Sequence, residues 1–287
     1  MEIISDFQDM QGRGRQWRGL GLKVVLVPTM GYFHPGHLSL MEYGRTIGER
    51  LVVSLFVNPA QFGPQEDLAH YPRDLDRDVR LAREIGVDCL YTPEVGAMYP
   101  PGYQTYVEVE SLSQGLCGAS RPGHFRGVAT VVLKLLNQVS PQIAVLREKD
   151  YQQLMVVKRM VADLEVPTEI IGRPIVREPD GLAMSSRNTY LTPEERPAAL
   201  CLYRALVAAR ELVASGAKNR ENILAAVHQI INAAPGARID YVALVDPSTL
   251  QDVEAIRGEA RLLLAVWVNK TRLIDNTLLS ESRLCCV

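Results

Sequence analysis

Residues 25–59 read VLVPTMGYFHPGHLSLMEYGRTIGERLVVSLFVNP. An apolar run ends at Val27 and is followed by Pro28, Gly31, Pro35 and Gly36, after which apolar residues return at three- and four-residue spacing over Leu38–Glu49. A second continuous apolar run occupies Leu51–Val57. Strand, helix and strand in such close succession predict a βαβ unit. Runs that stay apolar, rather than alternating, predict strands buried on both faces of a parallel sheet.

The same texture extends along the chain. Further strands are expected at Val87–Tyr91, Gln142–Leu146 and Val166–Ile171, with helices at Leu75–Ile85, Val128–Gln138 and Tyr151–Leu164, which is a doubly wound (Rossmann-like) α/β plan. After Ile175 a polar loop, VREPDGLAMSSRN, leads to a helix opened by Thr192, Pro193, Glu194 and Glu195 and running to about Ser215. A second helix over Arg220–Ala233 and strands at Ile239–Val245, Arg261–Val268 and Arg272–Asp275 complete a smaller α+β domain. The expected division is therefore 1–175 and 176–287, with no internal repeat.

The chain has 287 residues, with 31 Lys plus Arg against 33 Asp plus Glu and a formal net charge of −2. That balance creates no cationic field for nucleic acid or an anionic membrane, so any bound anion has to be held locally. The N-terminus lacks the apolar core of a signal peptide and no run is long enough to cross a bilayer, which predicts a cytoplasmic protein. The five cysteines, Cys89, Cys117, Cys201, Cys285 and Cys286, contain no C-x-x-C pair and are expected as thiols, with the last two exposed to oxidation.

Ligands of open α/β sheets bind beyond the carboxyl ends of strands. The turn from Pro28 to His37 occupies such a position: Gly31 and Gly36 permit close backbone approach, and the helix that follows aims N–H groups at an anion. His34 and His37 add imidazoles that stabilise charge developing at phosphorus. Capping or packing of the turn is an equally good reading of the spacing alone, and zinc is a weaker one, because no further ligands cluster nearby. A second constellation, LREKDYQQL (Leu146–Leu154), offers Lys149 for phosphate, Asp150 for a ribose hydroxyl and Gln153 for a polar substrate; alone it would read as a charged loop with a helix cap. Similarly, MSSRN (Met184–Asn188) suits closure over a triphosphate but also a plain serine turn. In FVNPAQF, Asn58 and Gln61 face the strand-end crevice unless they merely shape a proline turn, and SRPGHFRGV sets Arg121, His124 and Arg126 before a helix, where they suit either anion binding or plain surface pairs.

Taken in order, PTMGYFHPGH, FVNPAQFGPQEDLAHYPRD, GASRPGHFRGVATVVLKLLN, EKDYQQL and DGLAMSSRNTYL closely resemble the pantoate–β-alanine ligase (pantothenate synthetase) family, over essentially the whole chain. HPGH fits the H-x-G-H motif of the wider nucleotidyltransferase superfamily, and MSSR is similar to the mobile lysine–serine loop of class I tRNA synthetases. The resemblance implies an ATP-dependent C–N ligase. Pantoate is adenylated with release of pyrophosphate, and β-alanine then displaces AMP to give pantothenate, on the way to coenzyme A.

By this resemblance Met30, Gly31, His34, Gly36 and His37 line the ATP site, together with Arg147, Glu148, Lys149, Asp150, Val176, Met184, Ser185, Ser186 and Arg187. His37 is the implied acid, and His34, Lys149 and Arg187 join it in catalysis. Gln61 and Gln153 hold pantoate, while Asn58, Tyr71, Arg121 and His124 shape the pantoate and β-alanine pocket. Mg²⁺ is expected through the ATP phosphates rather than on protein ligands, and a homodimer is implied, with no nucleic-acid or membrane partner.

Because parts of the ATP set fall in both expected domains, the second domain is expected to close through Met184–Arg187. The family usually has glycine before E-K-D, whereas Arg147 stands here; a side chain there crowds the nucleotide or adds a cation, and weakened ATP binding is the expectation. Two rival functions are a nucleotidyltransferase that keeps the nucleotide on its product and a nucleotide-binding regulator without catalysis.

Overall fold

The computed structural model describes residues 1–64 and 66–281, so Cys285 and Cys286 lie outside the described residues. Two compact units emerge, one formed by Met1–Glu148 with Gln152–Val176 and the other by Lys149–Tyr151 with the residues from Arg177 onward. Lys149–Tyr151 thus groups with the second unit, where a division by chain position alone places it in the first.

The first unit is built on β1 (Glu2–Ile4), β2 (Val24–Thr29), β3 (Arg50–Leu55), β4 (Cys89–Tyr91), β5 (Ile143–Arg147) and β6 (Glu169–Arg173). All pairings are parallel and the order is β1-β4-β3-β2-β5-β6. Its helices are α1 (Phe7–Gly19), α2 (Pro35–Ile47), α3 (Leu75–Ile85), the single turns α4 (Val95–Met98) and α5 (Cys117–Ser120), α6 (His124–Val139) and α7 (Tyr151–Asp163). Val25, Val27, Leu51, Val53 and Val145 from the strands pack with Leu40 and Met41 of α2 and Ala82 of α3 in one fully buried cluster. Each large side chain in it contributes about 1.5–3 kcal/mol relative to exposure. The sheet order reverses between β2 and β5, so the crevice expected to receive a ligand lies at the carboxyl ends of those two strands.

Besides the single turns α4 and α5, strand β1 and helix α1 escaped the hydrophobic pattern. Strand β1 has only three residues and sits at the sheet edge, paired to β4. Helix α1 is polar overall but buries Met10, Gly14 and Trp17 on one stripe, and Asp6 caps it by accepting from the N–H groups of Gln8 and Asp9. Helices α2 and α6 start earlier than their apolar spacing indicates, at Pro35 and His124. For α2 the reason is that His34 acts as the N-cap and Pro35 supplies a first-turn φ.

The second unit contains α8 (Arg196–Ala199), α9 (Cys201–Ala214), α10 (Arg220–Asn232), β7 (Ala237–Val245), β8 (Glu259–Val268) and β9 (Thr271–Ser280). Its three strands form an antiparallel meander in the order β7-β8-β9, and Leu202, Leu206, Ile223 and Val227 of α9 and α10 pack on Leu262, Leu264 and Val266 of β8. Thr192 and Glu195 exchange side-chain-to-amide hydrogen bonds of 3.0 and 3.3 Å, the reciprocal cap legible in the sequence, although α-helix proper begins at Arg196. Strand β9 runs to Ser280 rather than Asp275 because its pairing with β8 continues to Glu259. Cys89, Cys117 and Cys201 are buried thiols. Among the described residues no helix is long and apolar enough to cross a membrane.

Candidate active site

Strand β2 ends at Thr29, whose hydroxyl donates to Ser54 O at 2.6 Å and accepts the Gly31 N–H at 3.3 Å. The backbone then turns through two successive left-handed residues, Gly31 at φ 85° and Tyr32 at φ 53°. His34 caps α2 by accepting the Gly36 N–H on Nδ1 at 3.1 Å, and the His34 N–H donates to His37 Nδ1 at 3.4 Å. The two rings face each other with centroids 4.0 Å apart, and His37 is buried. Both Nδ1 atoms serve as acceptors of backbone N–H groups. The imidazoles that cap the helix also stand at its positive end.

Arg147 closes β5, the strand across the switch point, and its Nη1 lies 3.3 Å from His34 Nε2. The guanidinium therefore turns toward the histidine pair and adds a cation to it.

Gln61 is held from two directions. Its Oε1 accepts from Asn58 Nδ2 at 3.1 Å, and its Nε2 points to Met30 Sδ at 3.2 Å. Asn58 is 1% exposed and uses its whole amide inside the protein, donating also to Gly127 O and accepting from the Ala60 N–H and the Tyr99 hydroxyl. The Gln61 carbonyl accepts from His124 Nδ1 at 2.8 Å, while Arg121 Nη1 lies 3.1 Å from His124 Nε2. A backbone acceptor at Nδ1 and a guanidinium donor at Nε2 define the neutral Nδ1–H tautomer. Arg121 in turn forms a two-pronged ion pair with Glu66 at 2.8 and 2.5 Å. Asn58, Arg121 and His124 thus brace Gln61. Gly127 lets α6 approach this turn, since a Cβ there would lie 2.2 Å from Ala60 O. A cavity of about 190 Å³ borders Gln61, Tyr106, His124 and Arg126. Tyr71 is buried edge-on against Phe62, with centroids 5.9 Å apart.

On α7 the two adjacent glutamines diverge. Gln152 is buried and bonds the Cys117 N–H and the Leu112 and Gly115 carbonyls, tying down the 112–117 segment, whereas Gln153 is half-buried one position along. Glu148 is half-buried in the first unit, which Val176 ends.

In the second unit Lys149 is buried, and its carbonyl accepts from Asn276 Nδ2 at 3.0 Å; Asp150 is half-buried beside it. The Met184–Arg187 segment is braced rather than loose. Ser185 Oγ accepts the Arg187 N–H at 3.3 Å, and Asn188 Nδ2 donates to Glu178 Oε1 at 2.6 Å and to Ala183 O at 3.1 Å. Ser186 is buried, while Met184 and Arg187 are half-buried. Arg177 fastens the start of the loop through Asp275 at 2.7 and 3.0 Å, and Arg196 bonds Glu178 and Asp180. Burial, the largest single influence on the Asp180 carboxyl, would raise its pKa, but the bond and charge of Arg196 and the Leu182 N–H together outweigh it and hold the group below its usual range.

Sequence reasoning passed over Asp78, Tyr99 and Gln152. Asp78 had a signal: with Leu75, Ala82 and Ile85 it falls on one helical stripe, where a lone carboxylate is costly unless bonded. Among the described residues no group of three or more His, Cys, Asp or Glu side chains converges to hold a metal.

Comparison with known proteins gives the family and the fold. Residues 2–278 match the Pantoate-beta-alanine ligase family. A pantothenate synthetase of Syntrophobacter fumaroxidans is 58% identical over 97% of this chain and 99% of its own, and that of Geobacter sulfurreducens is 54% identical over 99% and 100%. Among solved structures, a pantothenate synthetase of Thermus thermophilus superposes with a TM-score of 0.91 at 48% identity, covering 96% of this chain and 99% of that one. A Francisella tularensis pantoate-beta-alanine ligase, complexed with beta-gamma ATP and beta-alanine, gives 0.80 at 34% identity, covering 97% of each chain.

Proposed function

Because this chain belongs to the pantoate–β-alanine ligase family, we propose that its histidine pair and the braced Gln61 serve one ATP-driven condensation. The enzyme is a ligase that forms the C–N bond of pantothenate from pantoate and β-alanine at the expense of ATP. The observation that carries the assignment of residues is the facing of His34 and His37 at the start of α2, with Arg147 alongside at the switch point.

A carboxylate is a poor acyl donor because oxide would have to leave. An (R)-pantoate oxygen therefore attacks the α-phosphorus, the bond to the β-phosphate oxygen breaks, and pyrophosphate leaves with pantoyl adenylate behind. The β-alanine nitrogen, neutral on attack, then forms the C–N bond as the C–O bond to AMP breaks and a proton departs. His34 and His37 stabilise charge developing on the α-phosphate, with His37 as acid, and Arg147 screens the approach of two anions. Gln61 and Gln153 hold pantoate, and Asn58, Tyr71, Arg121 and His124 fix the pocket around them. Glu148, Lys149, Asp150, Val176 and Met184–Arg187 complete the ATP-binding set, with Lys149 and Arg187 as phosphate cations. Mg²⁺, expected through the ATP phosphates, would neutralise triphosphate charge. A homodimer in the cytoplasm completes the proposal.

Isotope exchange tests the adenylate. Labelled pyrophosphate should enter ATP when pantoate is present and β-alanine absent. Exchange that needs β-alanine would contradict a free-standing adenylation step.

A further inference from the structure

Between the strand end and the histidines lies a backbone that would not hold its shape unaided. Gly31 and Tyr32 are both left-handed, a conformation glycine accepts readily and a residue with a Cβ does not. The carboxylate of Asp78, reaching across from α3, accepts the Tyr32 N–H on one oxygen and the Phe33 N–H on the other, each at 2.7 Å. Charge-assisted bonds of this length are the strong ones. Asp78 is 1% exposed, on the apolar stripe of its helix, and burial pushes its pKa up while the two amide bonds and nearby Arg77 push back. Nothing in the packing of α3 itself calls for a charge there; the bonds to the turn account for it.

The surroundings fit a latch. A Cβ on Gly31 would lie 3.1 Å from Asp78 Oδ2, so glycine makes room for the carboxylate. Arg77, the neighbouring residue, stands 5.4 Å from the Tyr32 ring centroid. Phe33, fully buried, passes the constraint on, since its ring centroid is 5.9 Å from that of His37.

We infer that Asp78 is a positioning residue of the ligase reaction, locking Tyr32 and Phe33 so that His34 and His37 meet the α-phosphate already aligned. The inference rests on the function proposed above and adds to it a residue that touches no substrate.

Asp78→Asn keeps the shape but turns an amide N–H toward one of the two backbone donors. Pantoate-dependent pyrophosphate release should fall about tenfold or more in kcat with the KM for β-alanine unchanged, because misalignment acts on the first step. Tyr32→Gly removes the conformational penalty the latch opposes, so in that background the loss should shrink to about threefold or less. A folded Asp78→Asn with parental kcat, or an identical loss in both backgrounds, would overturn the inference.

Should Asp78→Asn not fold, Tyr32→Val decides: a β-branched residue resists the left-handed region, so full activity there would equally overturn it. Hydrogen exchange separates this inference from the function it rests on. Faster exchange confined to the Tyr32 and Phe33 amides in Asp78→Asn supports the latch even if the parent protein were inactive, and unchanged exchange contradicts it.

Discussion

His34 and His37 face each other across 4.0 Å at the first turn of α2, and each accepts a backbone N–H on Nδ1. One pair of side chains therefore caps the helix and presents its Nε2 edges at the helix's positive end. The two roles separate by mutation. His34→Asn retains a good N-cap and should melt like the parent while losing adenylation by about a hundredfold or more. His34→Ala should lose adenylation to the same extent and about 1 kcal/mol of stability besides. Thermal melts alongside pyrophosphate assays read both, and an active His34→Asn would leave only the cap.

Asn58 tests the brace on Gln61. Asn58→Ala strips partners from the Tyr99 hydroxyl, the Gly127 carbonyl and the Gln61 carboxamide together, at a cost of roughly 1–3 kcal/mol for each buried group that water does not recover. With Gln61 no longer held, the KM for pantoate should rise about tenfold or more while that for ATP stays near the parent value. Steady-state kinetics with each substrate varied in turn check the split.

Arg147 stands where the family usually has glycine. Its contact with His34 favours a cation at the phosphate site over a side chain that crowds the nucleotide. Arg147→Gly should therefore raise the KM for ATP several-fold, with little change in kcat. A fall in that KM would restore the crowding expected from sequence.

In the second unit the Asp246 carboxylate accepts the Ser248 hydroxyl at 2.6 Å and the Thr249 N–H at 2.8 Å. The Ser248 hydroxyl above all lowers its pKa to about 2. A depressed acid stabilises the fold above its unfolded pKa and loses that contribution as pH falls through the folded value. The melting-temperature gap between the parent and Asp246→Ala should be full above about pH 4 and close as pH approaches 2. A gap independent of pH over that range would contradict the assignment.

Much of this was legible because its signals are local. Apolar runs, Gly and Pro punctuation and the two histidines of HPGH fall within a few residues of one another, so strand, turn and helix could be placed from the chain alone. The braces were not local. Asn58 reads equally as a substrate ligand or part of a proline turn until Tyr99 and Gly127 are seen to consume its amide, and Arg121 reads equally as an anion binder or a pairing residue until Glu66 is found against it. Asp78 serves a turn far from it in sequence, and neither spacing nor composition reports such a partner. Strand β1 is too short, and α1 too polar, for hydrophobic period to reveal them.

The central claim is tested most directly by following ATP through its two steps with the purified protein, D-pantoate and Mg²⁺. The account predicts pyrophosphate release with pantoate alone and AMP release only after β-alanine is added. Pyrophosphate without β-alanine-dependent AMP, or silence in both steps, would contradict it.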